Sequence, residues 1–383
     1  GVRREGAAVP DLQKLALDAK RGVAPEALAT LGMIGTPAAT RTLQQVLADR
    51  PADLRVPAAH AALVSAAQLA KDGHVVAART LLESLRCWPD ERAATPVLDM
   101  QVFGDQGSQV RFSAAEQGVP ALNWIVDVPA LEQRLAEAVR YQSGIELLDA
   151  PVAAPLTVVC EGRASRTRAE LGVDWQVTPY PQQAIATRLD CERPHGQVAR
   201  QWFTPEGEIL AFLPLDGAQG RQVAVVWSVR SERLAELLAL DDGAFAARLH
   251  DISGGALGAL HLGSPRAHWP LLLGRATRWV GALPGRPGES FALPGDAAHA
   301  MHPLAGQGLN VGLGDVAELA RQLAARESWR SPGDLKLLRR YERARQADWL
   351  RMSLATDALQ QLFSRPEAAA TALRHWGMAA FEQ

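Results

Sequence analysis

With 383 residues, a formal net charge of −2 and 21% charged residues, the chain has the composition of a globular protein long enough for two domains. The near-neutral charge gives no bulk attraction to nucleic acid, so we expect no nucleic-acid partner. Three widely spaced cysteines argue against a disulfide framework and predict a reducing compartment, with the cytoplasm as the default. No run approaches the roughly 20 apolar residues of a membrane-spanning helix.

Residues 1–77 are predicted to be all-helical. Leu and Val recur at three- and four-residue steps in residues 25–47 and 54–73, with Gly or Pro between them. Two apolar helices joined by IGTPAA weakly resemble a HEAT-type repeat, although a stable array needs about three repeats. Two interpretations stay open: HEAT-like repeats, or ordinary helices of an α/β protein.

A change to strand patterns begins at about residue 78. The strand patterns are, in chain order, TPVLDMQVF, VRF, NWIVDV and the buried strand LTVVCEG. Before LTVVCEG, the segment ALEQRLAEAVR is predicted to be a helix with one apolar face. Residues 197–229 hold three further strand patterns separated by Gly-containing turns, which predicts an antiparallel meander. The tail after Ser331 is predicted to be helical.

The stretch GDAAHAMHPLAGQGLNVGLGD, residues 295–315, follows the end of a buried strand and leads into an apolar helical pattern. A helix start preceded by Gly306, Gln307 and Gly308 presents backbone N–H groups and the positive end of the helix dipole. Because glycine has no Cβ, a planar or anionic ligand can approach this backbone. Asp296 is placed to accept hydrogen bonds from a sugar-like hydroxyl.

This stretch closely resembles the GD signature of flavoprotein aromatic hydroxylases, specifically the ubiquinone-biosynthesis hydroxylase family. The resemblance implies that Asp296 holds the ribitol chain of FAD and that the backbone near residue 308 lies against the isoalloxazine ring. The implied cofactor-binding residues here are Gly295, Asp296, Gly306, Gln307, Gly308, Leu309 and Asn310. Pro303 would face the flavin edge, and His302 would lie close to it, so these two residues are the catalytic candidates.

A second segment, CEGRASRTRAELG at residues 160–172, resembles the family's DG motif, with Glu161 where Asp is usual. In the family this segment approaches the FAD pyrophosphate and the nicotinamide donor. Glu161, Gly162 and Arg168 are therefore added to the cofactor-binding candidates, with Arg168 as an anion contact. The alternative is a strand end followed by a surface arginine.

The resemblance covers residues 78–363 and implies an α/β fold: a flavoprotein-hydroxylase-like FAD domain with an antiparallel substrate-domain sheet and C-terminal helices. We expect a helical segment at 1–77 and the hydroxylase-like region at 78–383, with the substrate sheet at about 175–275 and the GD motif and C-terminal helices at about 290–383. The sequence departs from the family in lacking the G-x-G-x-x-G turn that cradles the FAD pyrophosphate.

Other constellations are weaker. His299 and His302 have a spacing that metal ligands can have, but no Cys or carboxylate set surrounds them, so we expect no metal. The aromatic residues Trp202, Phe212 and Trp227 lie on the predicted meander and could line a substrate pocket, whereas simple core packing is the competing interpretation.

The resemblance implies an FAD-dependent aromatic-ring monooxygenase that uses NAD(P)H as reductant and acts on a polyprenyl phenol or quinol in ubiquinone biosynthesis. Such a hydrophobic substrate implies either a peripheral encounter with the inner membrane or a multi-enzyme assembly. The alternative is a non-catalytic helical-repeat interaction protein with a degenerate flavin fold. Uptake of FAD by the purified protein distinguishes the two.

Overall fold

The computed structural model describes residues 8–17, 85–104, 108–142, 144–301 and 308–364, together with individual residues between 24 and 46 and between 79 and 83. Within these ranges, side chains beyond residue 350 are described only for Ser353. None of the helices in this part of the chain is both long enough and apolar enough to span a membrane.

The N-terminal segment is helical at every residue that is described. Helix α1 covers Val9–Leu17, and the described residues between 24 and 46 also lie in helices. Apolar residues from these helices, including Leu28, Leu31 and Leu43 with 0% exposure, form one buried cluster. The expected helical segment is thus confirmed where it is described, and its likeness to HEAT repeats stays a prediction.

The remaining elements follow in chain order. The helices are α2 (Val128–Arg140), α3 (Arg166–Glu170), α4 (Leu234–Ala239), α5 (Asp242–Ile252), α6 (Gly308–Ala324) and α7 (Leu335–Ser364). The strands are β1 (Ala94–Val97), β2 (Asp99–Phe103), β3 (Gln109–Ser113), β4 (Asn123–Val126), β5 (Leu156–Val158), β6 (Trp175–Cys191), β7 (Val198–Phe203), β8 (Ile209–Leu215), β9 (Gln222–Arg230), β10 (Leu260–Leu262), β11 (Ala267–Ala276), β12 (Val280–Ala282), β13 (Ser290–Ala292) and β14 (His299–Ala300).

The described residues divide into two compact units. The first unit contains residues 147–179 and 272–362 with the N-terminal segment, and the second contains residues 82–146 and 180–271. The second unit is built on a large sheet in the order β6-β9-β8-β7-β2-β3, in which all pairs are antiparallel except β2 with β7. This sheet includes the expected meander and adds β2 and β3, which lie outside the predicted range.

Alternating burial along the meander explains its packing. In the register of β7, β8 and β9, Trp202 lies opposite Leu210, and Leu210 lies opposite Trp227. Residues that lie directly opposite each other on paired strands have their side chains on the same face of the sheet, so these three residues share one face. That face packs against α4 and α5 through an apolar cluster that includes Phe245 and Leu249. The second unit therefore has a mainly aromatic and aliphatic core.

The first unit contains a small sheet in the order β12-β13-β5, in which β13 and β5 run parallel. Its core includes Trp279 and Phe291, and the Tyr341 hydroxyl of α7 donates a hydrogen bond of 2.9 Å to the Leu293 carbonyl. Because the carboxyl ends of parallel strands meet at one edge, the segments that follow β5 and β13 lie side by side. These are the two segments that resemble the DG and GD motifs.

Candidate functional site

The turn after β13 presents Asp296 at the surface. Gly295 has a φ of +59°, a left-handed conformation that favours glycine, and it begins a single 3-10 turn, Gly295–Ala297. Asp296 is exposed, whereas the next two residues, Ala297 and Ala298, are fully buried. The strand and the buried alanines therefore fix the backbone, and the carboxylate of Asp296 faces solvent.

Helix α6 begins beside this turn. A Cβ placed on Gly312 would lie 3.5 Å from the Gly295 Cα, so helix and turn are in direct contact. Gly308, the first residue of α6, has open space around the position of a Cβ, and Leu309 is 44% exposed. The first N–H groups of a helix have no partner within it, and they carry the positive end of its dipole. An open, electropositive backbone thus lies close to an exposed carboxylate.

The structure places five of the predicted cofactor residues on two elements that are in contact, with Gly295 and Asp296 on the turn and Gly308, Leu309 and Asn310 in the first turn of α6. The Gly295 N–H donates a hydrogen bond of 2.8 Å to Asp315 Oδ2. This glycine therefore shapes the turn but has no N–H left for a ligand. The predicted residues His302, Pro303, Gly306 and Gln307 lie outside the described residues.

The DG-like segment uses its carboxylate for a different purpose. Glu161 accepts hydrogen bonds from the Thr167 backbone N–H and the Ser165 hydroxyl, both at 2.9 Å, and from the Thr167 hydroxyl. The hydrogen bonds from Thr167 lower the pKa of Glu161 below its ordinary value. Glu161 therefore holds the start of α3, while Gly162, with a φ of +74°, forms the turn before it.

Arg168 is buried, contrary to the alternative of a surface arginine. Its guanidinium donates to the Ala297 carbonyl at 3.0 Å and to the Arg163 carbonyl at 2.9 Å, and it lies 4.1 Å from the centre of the Trp175 ring. Burial lowers the pKa of Arg168, and the charge of Glu161 opposes this shift. Instead of presenting a free guanidinium to an anion, Arg168 ties the DG-like segment to the GD turn.

A buried charged cluster was not expected from the sequence. Asp315, on α6, is 0% exposed and accepts hydrogen bonds from the His299 Nε2 at 2.6 Å and from the Arg345 Nε at 2.7 Å. Burial by itself raises the pKa of Asp315, but its bonds with His299 and Arg345 lower it below its ordinary value. One signal was available: Val311, Asp315 and Leu319 form the buried stripe of α6, and a carboxylate there needs partners.

The aromatic candidates do not share a pocket. Phe212 and Trp227 are 0% exposed and belong to the apolar core of the second unit, where Trp227 packs on Phe245. Their burial corrects the pocket hypothesis in favour of core packing. Trp202 alone of the three lines an open cleft of about 330 Å³, whose other lining residues include Thr204, Glu206, Arg248 and Asp251.

The first unit has the donors and acceptors that part of an FAD molecule requires. Asp296 offers an exposed acceptor for a ribityl hydroxyl, and Gly308 leaves room for a ring to approach the start of α6. A parallel strand pair, a glycine turn with an exposed carboxylate and an adjacent helix N-terminus together fit the ribityl chain and the ring of a flavin cofactor.

The chain belongs to the FAD binding domain family, whose sequence model matches residues 122–352. Its cofactor is accordingly FAD. The chain is similar to the ubiquinone hydroxylase UbiL of Rhodospirillum rubrum, with 40% identity over 233 residues that cover 61% of this chain and 52% of the relative. It is also 28% identical to the 3-demethoxyubiquinol 3-hydroxylase of Escherichia coli K12 over 367 residues, which cover 88% of this chain and 85% of the relative.

Among solved structures, PqsL from Pseudomonas aeruginosa, described as a probable FAD-dependent monooxygenase, superposes with a TM-score of 0.63. The sequence identity is 20%, and the match covers 78% of this chain and 87% of PqsL, so the likeness concerns the fold. It confirms the α/β flavoprotein-hydroxylase fold expected from the sequence. The chain spans about half the length of most of the curated relatives that it matches.

Proposed function

We propose that this protein is an FAD-dependent aromatic-ring hydroxylase that acts on a polyprenyl phenol or quinol in ubiquinone biosynthesis, with NAD(P)H as the reductant. The observation that carries the proposal is the contact between the GD turn and the start of α6, beside the exposed Asp296. The substrate class is supported by the names of the relatives, UbiL and the 3-demethoxyubiquinol 3-hydroxylase.

When bound, FAD supplies the activation of molecular oxygen. Asp296 would accept a hydrogen bond from the ribityl chain, and the first N–H groups of α6 would stabilise negative charge on the flavin ring. Gly306, Gln307, Leu309 and Asn310 would complete this backbone contact, as the resemblance to the family implies. We assign His302 and Pro303 to the flavin edge, where they orient the aromatic ring and exclude water.

The DG-like segment supports the same site. Glu161 and Gly162 set the backbone of the segment that, by resemblance to the family, would approach the FAD pyrophosphate and the nicotinamide donor. Arg168 acts through its bond to the Ala297 carbonyl, which holds this segment against the GD turn. We therefore assign Arg168 a structural link between the two motifs, in place of the direct anion contact that the sequence suggested.

The proposed substrate is hydrophobic, so it must be delivered from a membrane surface or from another enzyme of an assembly. The protein is then peripheral to the inner membrane or part of a multi-enzyme complex. Of the three aromatic candidates, Trp202 is the one that lines the cleft of the second unit, where it is 8% exposed and stacks on Phe103.

The proposal is tested by FAD uptake and by oxygen transfer. The purified protein is titrated with FAD by flavin fluorescence, then assayed for NADH and NADPH oxidation with a short-chain polyprenyl phenol under labelled oxygen. We expect a bound yellow flavin and a product that carries one labelled oxygen atom. Asp296→Ala should weaken FAD binding about tenfold or more, because it removes a charged hydrogen-bond acceptor.

The matched control is Asp149→Ala, which removes another exposed aspartate of the same unit. Its affinity for FAD should equal that of the unsubstituted protein. A colourless protein that takes up no FAD would overturn the proposal in favour of a non-catalytic helical-repeat interaction protein. The buried helical cluster around Leu28 and Leu43 is the observation that favours this second candidate.

A further inference from the structure

One buried carboxylate holds both sides of the proposed flavin site. Asp315 Oδ2 accepts from the Gly295 N–H at 2.8 Å and from the His299 Nε2 at 2.6 Å. Gly295 and His299 flank Asp296 on the GD turn, whereas Asp315 itself lies on α6, seven residues after Gly308. A single side chain therefore connects the turn that carries Asp296 to the helix whose first residues face the ligand.

A second helix fixes this carboxylate in place. Arg345, on α7, donates its Nε to Asp315 Oδ1 at 2.7 Å, its Nη1 to Asp348 Oδ2 at 2.6 Å and its Nη2 to the Val311 carbonyl at 3.1 Å. Arg345 is 4% exposed, and Gly314 leaves the space that its guanidinium occupies. Charge-assisted hydrogen bonds between a guanidinium and carboxylates are directional as well as strong, so they fix the orientation of the Asp315 carboxylate.

Stability alone does not account for this cluster. A buried ion pair can often be replaced by apolar residues of similar volume without loss of stability, because burial removes the charges from water. An apolar residue at position 315 would complete the stripe of Val311 and Leu319. An apolar residue could not accept the hydrogen bond from the Gly295 N–H or orient the His299 ring. The carboxylate is therefore needed to fix the position of the GD turn.

We propose that Asp315 is a positioning residue that locks the GD turn to α6, with His299 and Arg345 as its partners, and thereby sets the geometry in which FAD is bound. The inference rests on the proposed flavin site and assigns positioning roles to three buried residues. It predicts that a variant without the Asp315 carboxylate binds FAD more weakly than a variant of the same unit that loses the same stability at another position.

The experiment compares Asp315→Asn with two controls. Glu318→Gln removes a carboxylate from the same helix, where it pairs with Arg321 near the surface. Tyr341→Phe removes the buried hydrogen bond to the Leu293 carbonyl, two residues before the GD turn, and so lowers stability near the site while it leaves the hydrogen bonds of Asp315 in place. For each variant we measure the thermal midpoint, the Kd for FAD and the visible circular dichroism of the flavin at saturation.

We expect Asp315→Asn to bind FAD about tenfold more weakly or worse, since one charge-assisted hydrogen bond is worth that much. Its bound flavin should also show an altered dichroism spectrum. Both controls should stay within about twofold of the unsubstituted Kd, with an unchanged spectrum. Equal FAD binding and equal spectra in all variants would overturn the positioning role and leave the proposed function standing.

Hydrogen exchange separates the two ideas when no flavin binds. In the protein without FAD, amides of residues 295–300 should exchange faster in Asp315→Asn than in Tyr341→Phe, and equal rates would overturn the inference. Failure of the unsubstituted protein to bind FAD would overturn the proposed function only. If Asp315→Asn loses its cooperative thermal transition, His299→Gln carries the same comparison, because it leaves the Asp315–Arg345 pair in place.

Discussion

Among the residues that the structure describes, each of the two units has one buried carboxylate residue, and the two differ in what surrounds them. Asp315 of the first unit is 0% exposed and is bonded to His299, to Arg345 and to the Gly295 N–H. The Glu208 side chain of the second unit is 1% exposed, and its ion pair is with Arg233 at 2.8 Å. Asp315 bonds to the turn that carries Asp296, whereas Glu208 directly precedes β8 and lines the cleft of the second unit beside Thr204 and Glu206.

The pKa shifts of these carboxylates have opposite directions. Burial raises the pKa of Glu208, and the charge of Arg233 only partly opposes it. For Asp315, burial also raises the pKa, but His299 and Arg345 together lower it below the ordinary value. The comparison teaches that the number and charge of the partners, and not depth alone, decide whether a buried carboxylate stabilises the fold as an anion.

The largest effect should come from removal of Arg345. Arg345→Ala leaves Asp315 buried with one cationic partner fewer, and breaking such a pair costs about 3–5 kcal/mol of unfolding free energy. Urea denaturation followed by far-UV circular dichroism measures this change. Arg339→Ala, an exposed arginine on the same helix, should stay within about 0.5 kcal/mol. A similar small change for both variants would show that the Asp315 cluster contributes little to the stability of the first unit.

The opposite pKa shifts predict opposite pH dependences. Because the folded-state pKa of Asp315 is lowered, its stabilising contribution is present above the unfolded pKa of about 3.9 and is lost as the pH falls through the folded value. Because the pKa of Glu208 is raised, its contribution is present below the unfolded pKa of about 4.3 and is lost as the pH rises through the folded value.

Unfolding free energies between pH 3 and pH 7 test this for Asp315→Asn and Glu208→Gln against the unsubstituted protein. The cost of Asp315→Asn should shrink toward low pH. Glu208→Gln should change stability by at most about 1 kcal/mol at pH 7, since the amide keeps a hydrogen bond with Arg233, and should become relatively less stable toward low pH. Parallel pH profiles for the two variants would contradict the comparison.

Local patterns predicted the meander and the helix α6, because alternation and helical spacing are properties of short segments. The long strands β6 and β11 were not predicted. Pro179 and Pro181 interrupt the pattern of β6, and they precede the residues from Gln182 onward that pair with β9. Proline cannot donate to a sheet ladder, so its presence argues against a strand until the pairing register is known.

The site was predictable only as far as its motifs reach along the chain. Asp296 and the start of α6 lie within one 21-residue stretch, so a resemblance could identify them. Asp315 and Arg345 are separated by 30 residues, and their contact depends on how α6 and α7 pack. Likewise, Arg168 and Ala297 are 129 residues apart, and no spacing rule predicts their hydrogen bond. Tertiary contacts changed the interpretation of Arg168 from a ligand contact to an internal link.

The smallest effects should come from two glycines on the same helix, which test how rigidly Arg345 is held. Replacing a glycine by alanine inside a helix gains about 1 kcal/mol from propensity alone. At Gly312 the new Cβ would make an ordinary contact, 3.5 Å from the Gly295 Cα, so Gly312→Ala should raise the urea midpoint. At Gly314 it would lie 2.9 Å from the Arg345 Nη2.

Arg345 cannot move aside without losing its bonds to Asp315, Asp348 and the Val311 carbonyl, so the overlap should cost about 1–3 kcal/mol and outweigh the gain. Gly314→Ala should therefore lower the urea midpoint while Gly312→Ala raises it. A double variant, Gly314→Ala with Arg345→Ala, should recover the helix gain relative to Arg345→Ala alone. If Gly314→Ala stabilises the protein as much as Gly312→Ala does, the Arg345 guanidinium is free to shift. The Asp315 cluster is then no more rigid than the Glu208–Arg233 pair.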